Sequence, residues 1–148
     1  MRIELEEKYR IQSNVLDNTK YSKSYFPIVP AIIKIPGTDI TSYPFSESFI
    51  FDSGASISVI HQRNRKLFKD IKPIDTTPIT FGNSSAHLDV YKVILRIQGY
   101  DFELVAALAK DLRINYSLIG YYKGYELFDM IVLNNKLGKL KLINKYGV

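Results

Sequence analysis

Twelve residues, Phe49-Ile50-Phe51-Asp52-Ser53-Gly54-Ala55-Ser56-Ile57-Ser58-Val59-Ile60, constrain the fold of this chain more than any other stretch. An aspartate divides two apolar segments of β character, and Ser-Gly directly behind it turns the backbone. An ionised carboxylate among Phe, Ile and Val is costly unless partners hold it, so Asp52 is a candidate functional group on residue chemistry alone.

The rest of the chain bounds what that group can belong to. With 148 residues, 46% of them hydrophobic, there is material for one domain with a proper core. Lys and Arg number 20 against 15 Asp and Glu, a net charge of +5, and apart from Arg63-Arg65-Lys66 the basic residues are dispersed. A nucleic-acid groove usually concentrates its charge on one element, so no nucleic-acid partner is expected. The absence of cysteine removes disulfides, thiolate metal sites and cysteine nucleophiles. Two histidines, His61 and His87, are too few for most metal sites; we expect them to be structural and expect no metal and no cofactor. The charged start MRIELEEKYR lacks the apolar core of a signal peptide, and no run approaches a bilayer span. A cytoplasmic protein with no membrane partner is the expectation.

Residues 1–24 read as an N-terminal extension of open role, in which Arg2 to Glu6 alternates like an edge strand and Leu5 to Lys8 equally suits a short helix. Residues 25–148 read as the domain proper. Tyr25 to Ile35 is β-rich, with prolines that suit an edge or a strand start, and Pro36-Gly37 turns the chain. The next strand is expected over Pro44 to Phe51, followed by the Asp-Ser-Gly turn and a strand at Ile57 to Ile60. His61 to Phe68 reads as a short helix with Arg63, Arg65 and Lys66 on a solvated face. Pro73 and Pro78 frame a connection into Ile79-Thr80-Phe81, and Gly82-Asn83 is a hairpin signal before Ala86 to Val90. A second hairpin joins Val90 to Ile97 with Tyr100 to Leu108 through Gln98-Gly99. Asp111 to Tyr116 is a polar connection, Ser117 to Gly120 a strand, and Tyr121 to Phe128 a short helix. Met130 to Leu133 and Lys139 to Ile143 form a last hairpin. Many short strands with frequent turns predict an all-β, closed or sandwiched domain with one or two short helices.

Taken together these residues resemble the retropepsin-like aspartic proteases, the single-domain relatives of retroviral proteases and of the protease domain in ubiquitin-shuttle proteins. The resemblance rests on the apolar strand into Asp52-Ser53-Gly54-Ala55-Ser56, the hairpin tip at Gly82-Asn83, and Leu118-Ile119-Gly120 followed by a short helix and a hairpin. It implies a closed acid-protease barrel, one lobe per chain, and an endopeptidase that hydrolyses peptide bonds in extended substrates. Two carboxylates sharing one proton supply the base and the acid that amide hydrolysis needs, because like charges ~3 Å apart cannot both ionise. The chain holds one such motif, so the resemblance implies a homodimer with one catalytic Asp52 per protomer. It further implies that Ser53 and Gly54 support the catalytic loop, that Ala55 and Ser56 lie beside the substrate backbone, and that Gly120 packs behind Leu118 and Ile119 where a side chain cannot fit. The tip formed by Phe81, Gly82, Asn83 and Ser84 would be a flap closing over an extended peptide or protein substrate bound as an added strand.

Two features depart from the pattern. The tip lacks the several glycines of some retroviral enzymes, and Tyr121 follows Gly120 where many members carry an arginine that braces the catalytic loop, an arginine that ubiquitin-shuttle domains also lack. Other readings carry less. Asp-Ser-Gly alone also forms ordinary turns, and a serine nucleophile at Ser56 or Ser58 lacks the second glycine of the nucleophile elbow. The eleven tyrosines and eight phenylalanines suit core and dimer contacts better than a base-stacking platform. The alternative function is a non-catalytic member of the same fold that dimerises or binds extended peptides.

Overall fold

Strand β4 (Ile28–Lys34) changes partner halfway along its length, and this closes the sheet into a barrel. The computed structural model describes residues 3–8, 10–12, 24–81, 84–110, 116–134 and 137–144. Before β4 come β1 (Ile3–Lys8), β2 (Arg10–Gln12) and β3 (Ser24–Phe26); after it come β5 (Glu47–Phe51), β6 (Ser58–Ile60), β7 (Asp75–Phe81), β8 (Ser84–Ile97), β9 (Tyr100–Leu108), β10 (Ser117–Ile119), β11 (Met130–Asn134) and β12 (Lys139–Asn144). Two 310 helices span Gln62–Phe68 and Tyr125–Leu127. Ile28 to Ala31 pair with β5, whereas Ile32 to Lys34 pair with β8, giving a closed ring of six strands in the order β4-β5-β10-β6-β9-β8 with β7 attached outside it. Closure leaves the ring without an edge. The short strands and frequent turns predict an all-β domain, closed or sandwiched; the closed barrel with two short helices, one lobe in one chain, is what the resemblance implies.

The long hairpin of β8 and β9 shows why these residues form strands. Val93, Leu95 and Ile97 point into the core while Lys92 and Arg96 face solvent, a period of two that fixes the register, and each such apolar side chain contributes roughly 1.5–3 kcal/mol on burial. Gln98 and Gly99 turn the hairpin at φ of 50° and 81°, where glycine is unstrained. Asp101 closes the barrel seam, accepting from Arg96 Nε at 2.7 Å on β8 and from Lys34 Nζ at 3.2 Å on β4. Val29, Ile33, Phe49 and Phe102 fill the interior.

Several boundaries differ from the sequence reading. β5 begins at Glu47 and not at Pro44, because Phe45 donates to the Ser42 carbonyl at 2.8 Å and the intervening residues form a turn. Pro78 lies inside β7 opposite His87, tolerated because β7 is an edge strand whose outer side needs no amide donor. Pro30 lies within a strand of the ring, where β4 pairs with β5 but not yet with β8. Residues 84 to 97 form one strand, since β8 passes from β7 to β9 at Val90. Tyr121 to Phe128 is no continuous helix: Tyr122 bridges Ile57 and Lys123 adopts φ 53°, so only Tyr125–Leu127 is helical. The polar connection at 111–115 lies outside the described residues.

A terminal sheet completes the lobe in the order β1-β12-β11, with Leu140 and Leu142 of β12 buried in the barrel core. Of residues 1–24, then, β1 is an edge strand on β12, and β2 pairs with β3. Among the described residues no helix is long and apolar enough to cross a membrane.

Candidate active site

Asp52 stands one residue beyond the end of β5, and the backbone around it is determined by β10. These two strands run parallel with Leu118 opposite Ile50 and Ile119 opposite Phe51, and the Asp52 amide continues the ladder by donating to the Ile119 carbonyl at 3.0 Å. The chain then turns, with Ala55 donating to the Asp52 carbonyl at 3.1 Å. The Gly54 amide donates to Asp52 Oδ1 at 2.9 Å, and a Cβ on Gly54 would come within 3.3 Å of that oxygen. Placed after the strand, the carboxylate is half-buried at the wall of a cleft. The flanking Phe49 and Phe51 point inward, and Asp52, just after the end of the strand, does not follow them.

Gly120 lies directly against this loop. A Cβ there would fall on the Ile57 carbonyl carbon and come 2.9 Å from the Ala55 oxygen, both backbone atoms. Its amide donates to the buried Ser58 hydroxyl at 3.0 Å. Tyr121 and Tyr122 then donate to the carbonyls of Ala55 and Ser56, each at 2.9 Å. The segment after β10 thus holds the Asp52 loop by three hydrogen bonds, from the amides of Gly120, Tyr121 and Tyr122.

The cleft encloses about 460 Å³. Asp52, Gly54, Ala55, Ser56, Ile57, Val59 and Leu118 form one side, and Pro78, Ile79 and Thr80 of β7 form the other. The structure therefore brings the arm of the β7–β8 hairpin to the aspartate. Of the four residues assigned to the flap, Gly82 and Asn83 lie outside the described residues, and Phe81 and Ser84 are the last paired rung of the hairpin. Ser53 and Ser56 are exposed. Among the described residues Asp52 is the sole acid lining this cleft, and no three metal-binding side chains gather anywhere. A larger groove of about 860 Å³, between Pro30, Ile40, Tyr43 and Gly99, shares no residue with the Asp52 cleft, so chemistry and not size identifies the site.

One buried acid was not singled out in the sequence. Glu47, at the start of β5, is 6% exposed and accepts from Arg63 Nη2 at 2.7 Å, Asn64 Nδ2 at 3.0 Å and Ser117 Oγ at 3.3 Å. The hydrogen bond to Glu47 raises the Arg63 guanidinium further above its ordinary value. Arg63 is thus a clamp between the 310 helix and β5, not one member of a solvated face. Ser117 in turn accepts from the His61 amide at 2.9 Å, and His61 Nδ1 accepts from the Arg63 amide at 3.1 Å, a structural role for that histidine. The cluster ties β5 to β10 at the end opposite Asp52. A glutamate preceding an apolar run was the only visible signal.

No protein-family model matches the sequence, and no curated protein matches it. Solved structures do. A retropepsin-like aspartic protease from Rickettsia conorii is 15% identical, with 97% of this chain and 92% of that one aligned at a TM-score of 0.60. The prototype foamy virus protease–reverse transcriptase is 23% identical over 64% of this chain and 10% of its own, TM-score 0.43, and the simian foamy virus (mac) protease is 25% identical over 62% and 86%, TM-score 0.38. The argument rests on the first of these, which spans nearly both chains. Barrel closure, the loop at the end of β5 and that alignment together assign this chain the retropepsin-like fold.

Proposed function

We propose that the chain is an aspartic endopeptidase that cleaves extended polypeptides as a homodimer, each protomer supplying one Asp52. The observation that carries this reading is a half-buried aspartate on a tightly held loop, the sole acid of its cleft among the described residues, in a chain with a single Asp-Ser-Gly. One carboxylate takes a proton from water as the water oxygen attacks the scissile carbonyl carbon, and the other gives its proton to the carbonyl oxygen. The tetrahedral intermediate then passes a proton to the amide nitrogen, the C–N bond breaks, and the pair returns to its shared-proton state. An extended substrate fits along the outer side of β7 by strand addition.

The test is cleavage of a peptide library by the wild-type protein and by Asp52→Asn, with mass in solution measured on both. Cleavage that disappears in a variant of unchanged assembly state supports the proposal. Cleavage that persists in Asp52→Asn overturns it. A wild-type dimer that cleaves nothing and binds no pepstatin-like inhibitor points instead to a non-catalytic peptide-binding or dimerisation module.

A further inference from the structure

Resting on the reading of β7 as a peptide-binding edge given above, we infer that this edge accepts a single rung of an added strand, at Thr80, and that Pro78 and Asp75 are the specificity-determining residues that end the contact there. Three consecutive residues of β7, Pro78, Ile79 and Thr80, line the Asp52 cleft. Successive side chains of a strand point to opposite faces, so a cavity that touches all three meets the strand edge-on. Among the described residues β7 is the last strand of its sheet, with β8 on its inner side, and its outer edge carries no partner strand.

Pro78 fixes which hydrogen-bonding groups this edge presents. The antiparallel ladder with β8 runs unbroken from Asp75 to Phe81, and it passes through a residue that has no amide hydrogen. An unbroken ladder requires Pro78 to stand in a non-hydrogen-bonded pair with His87, its nitrogen and its carbonyl both turned outward. Alternation then turns the amides and carbonyls of Thr76 and Thr80 outward as well. Thr76 agrees with this phase: its amide donates at 2.8 Å to Asp75 Oδ1, a side-chain acceptor outside the ladder. The edge therefore presents carbonyls at Thr76, Pro78 and Thr80 and, among the described residues, one uncommitted amide, that of Thr80.

A residue of an added strand forms both of its bonds only where the edge both donates and accepts. At Thr80, beside the hairpin tip, it obtains both. Facing Pro78 or Thr76, it can give its N–H, but its carbonyl leaves water and finds no donor, which costs free energy. Extending the strand past Thr80 therefore gains little. Proline and charge on an edge guard strands against indiscriminate pairing, and here Pro78 does so on the wall of the Asp52 cleft itself. The substrate class that fits is a short extended segment anchored through one residue, with the chain beyond it free to bend away.

The experiment uses the full chain carrying Asp52→Asn and a library of peptides long enough to run the whole of β7, from which binders are selected, so that binding is read without cleavage. The tightest selected peptide is prepared at full length and trimmed stepwise to the shortest form that still binds. Pro78→Ala supplies a new outward amide, and Asp75→Ala releases that of Thr76. Each is expected to tighten the full-length peptide about 2- to 12-fold, the net worth of one hydrogen bond, and to leave the shortest form unchanged. A general effect on the hairpin would instead move both forms alike. Thr80→Pro removes the one free donor from a position of the same kind as Pro78, which the strand already accommodates, and is expected to weaken both forms about tenfold or more. Unchanged affinity in Pro78→Ala and Asp75→Ala, an equal gain for both forms, undiminished binding in Thr80→Pro, or a library that yields no binder overturns the assignment. These shifts in a protein whose wild type cleaves nothing would overturn the endopeptidase and leave the edge assignment standing; cleavage by the wild type without these shifts would do the reverse.

Discussion

The amide of Gly120 donates to the hydroxyl of Ser58 at 3.0 Å, joining residues 62 positions apart behind the Asp52 loop. Ser58 is fully buried, and Gly120 has backbone where a side chain would go. This contact couples the end of β10 to the strand leaving the loop, and it is open to test from both sides.

Gly120→Ala forces a methyl against the Ile57 carbonyl, which cannot rotate away as a side chain could. Overpacking of this kind costs about 1–3 kcal/mol. Ser58→Ala costs about 1–3 kcal/mol by leaving the Gly120 amide without its acceptor. Urea denaturation measures both. In the double variant the costs are expected to be non-additive, because the two residues share one contact.

Removing either side of the Glu47–Arg63 clamp is expected to destabilise unequally. Arg63 is 45% exposed and can return to water, so Glu47→Ala costs about 1–3 kcal/mol, below the figure for a fully buried pair. Arg63→Ala leaves a buried carboxylate with only the neutral donors Asn64 and Ser117 in place of the Arg63 charge, and is expected to cost more than Glu47→Ala. Equal losses in denaturant midpoint would show that the burial of Glu47 does not govern the energetics.

The Arg96 guanidinium, opposed by partial burial and assisted by Lys34, holds the Asp101 carboxyl below its ordinary range. A depressed folded value means stability that is fully present above the unfolded value, about 3.9, and lost as pH falls through the folded one. Melting temperatures of wild type and Asp101→Asn are therefore expected to differ at pH 6, to approach one another below about pH 4, and to merge at lower pH. A difference that stays constant down to pH 2 would mean that the ion pair does not survive in solution.

Asp52→Asn keeps an oxygen at the position that accepts the Gly54 amide, so the loop and the melting temperature are expected to change little. Cleavage is expected to fall by about 10²–10⁴-fold or more, as when a general acid–base group is removed. Comparing the two measurements separates a chemical role from a structural one.

The loop and the strand behind it could be read from residues 49–60 and 117–120, because Asp-Ser-Gly after an apolar strand and an apolar pair before glycine are local patterns. The second hairpin was equally local, with Gln98-Gly99 between alternating arms. What escaped depended on distant partners. Nothing near Glu47 in the sequence indicates that Arg63 and Ser117 will surround it, and nothing in Ile28 to Lys34 marks where β4 leaves β5 for β8. The β10–β5 and β6–β9 pairs are parallel, a relation between segments dozens of residues apart that hairpin signals do not encode. Tyr121 to Phe128 has helical composition, but Gly124 packs against the Gly120 carbonyl and Lys123 turns left-handed, so tertiary contact overrides local preference.

The closed environment of β12 bears on how this molecule would respond to dilution. Since that strand satisfies both its edges within its own chain, separating two protomers breaks no sheet hydrogen bond of either lobe. On the proposed homodimeric reading, with the second carboxylate supplied by a partner, cleavage at low abundance would rise with the square of protein concentration.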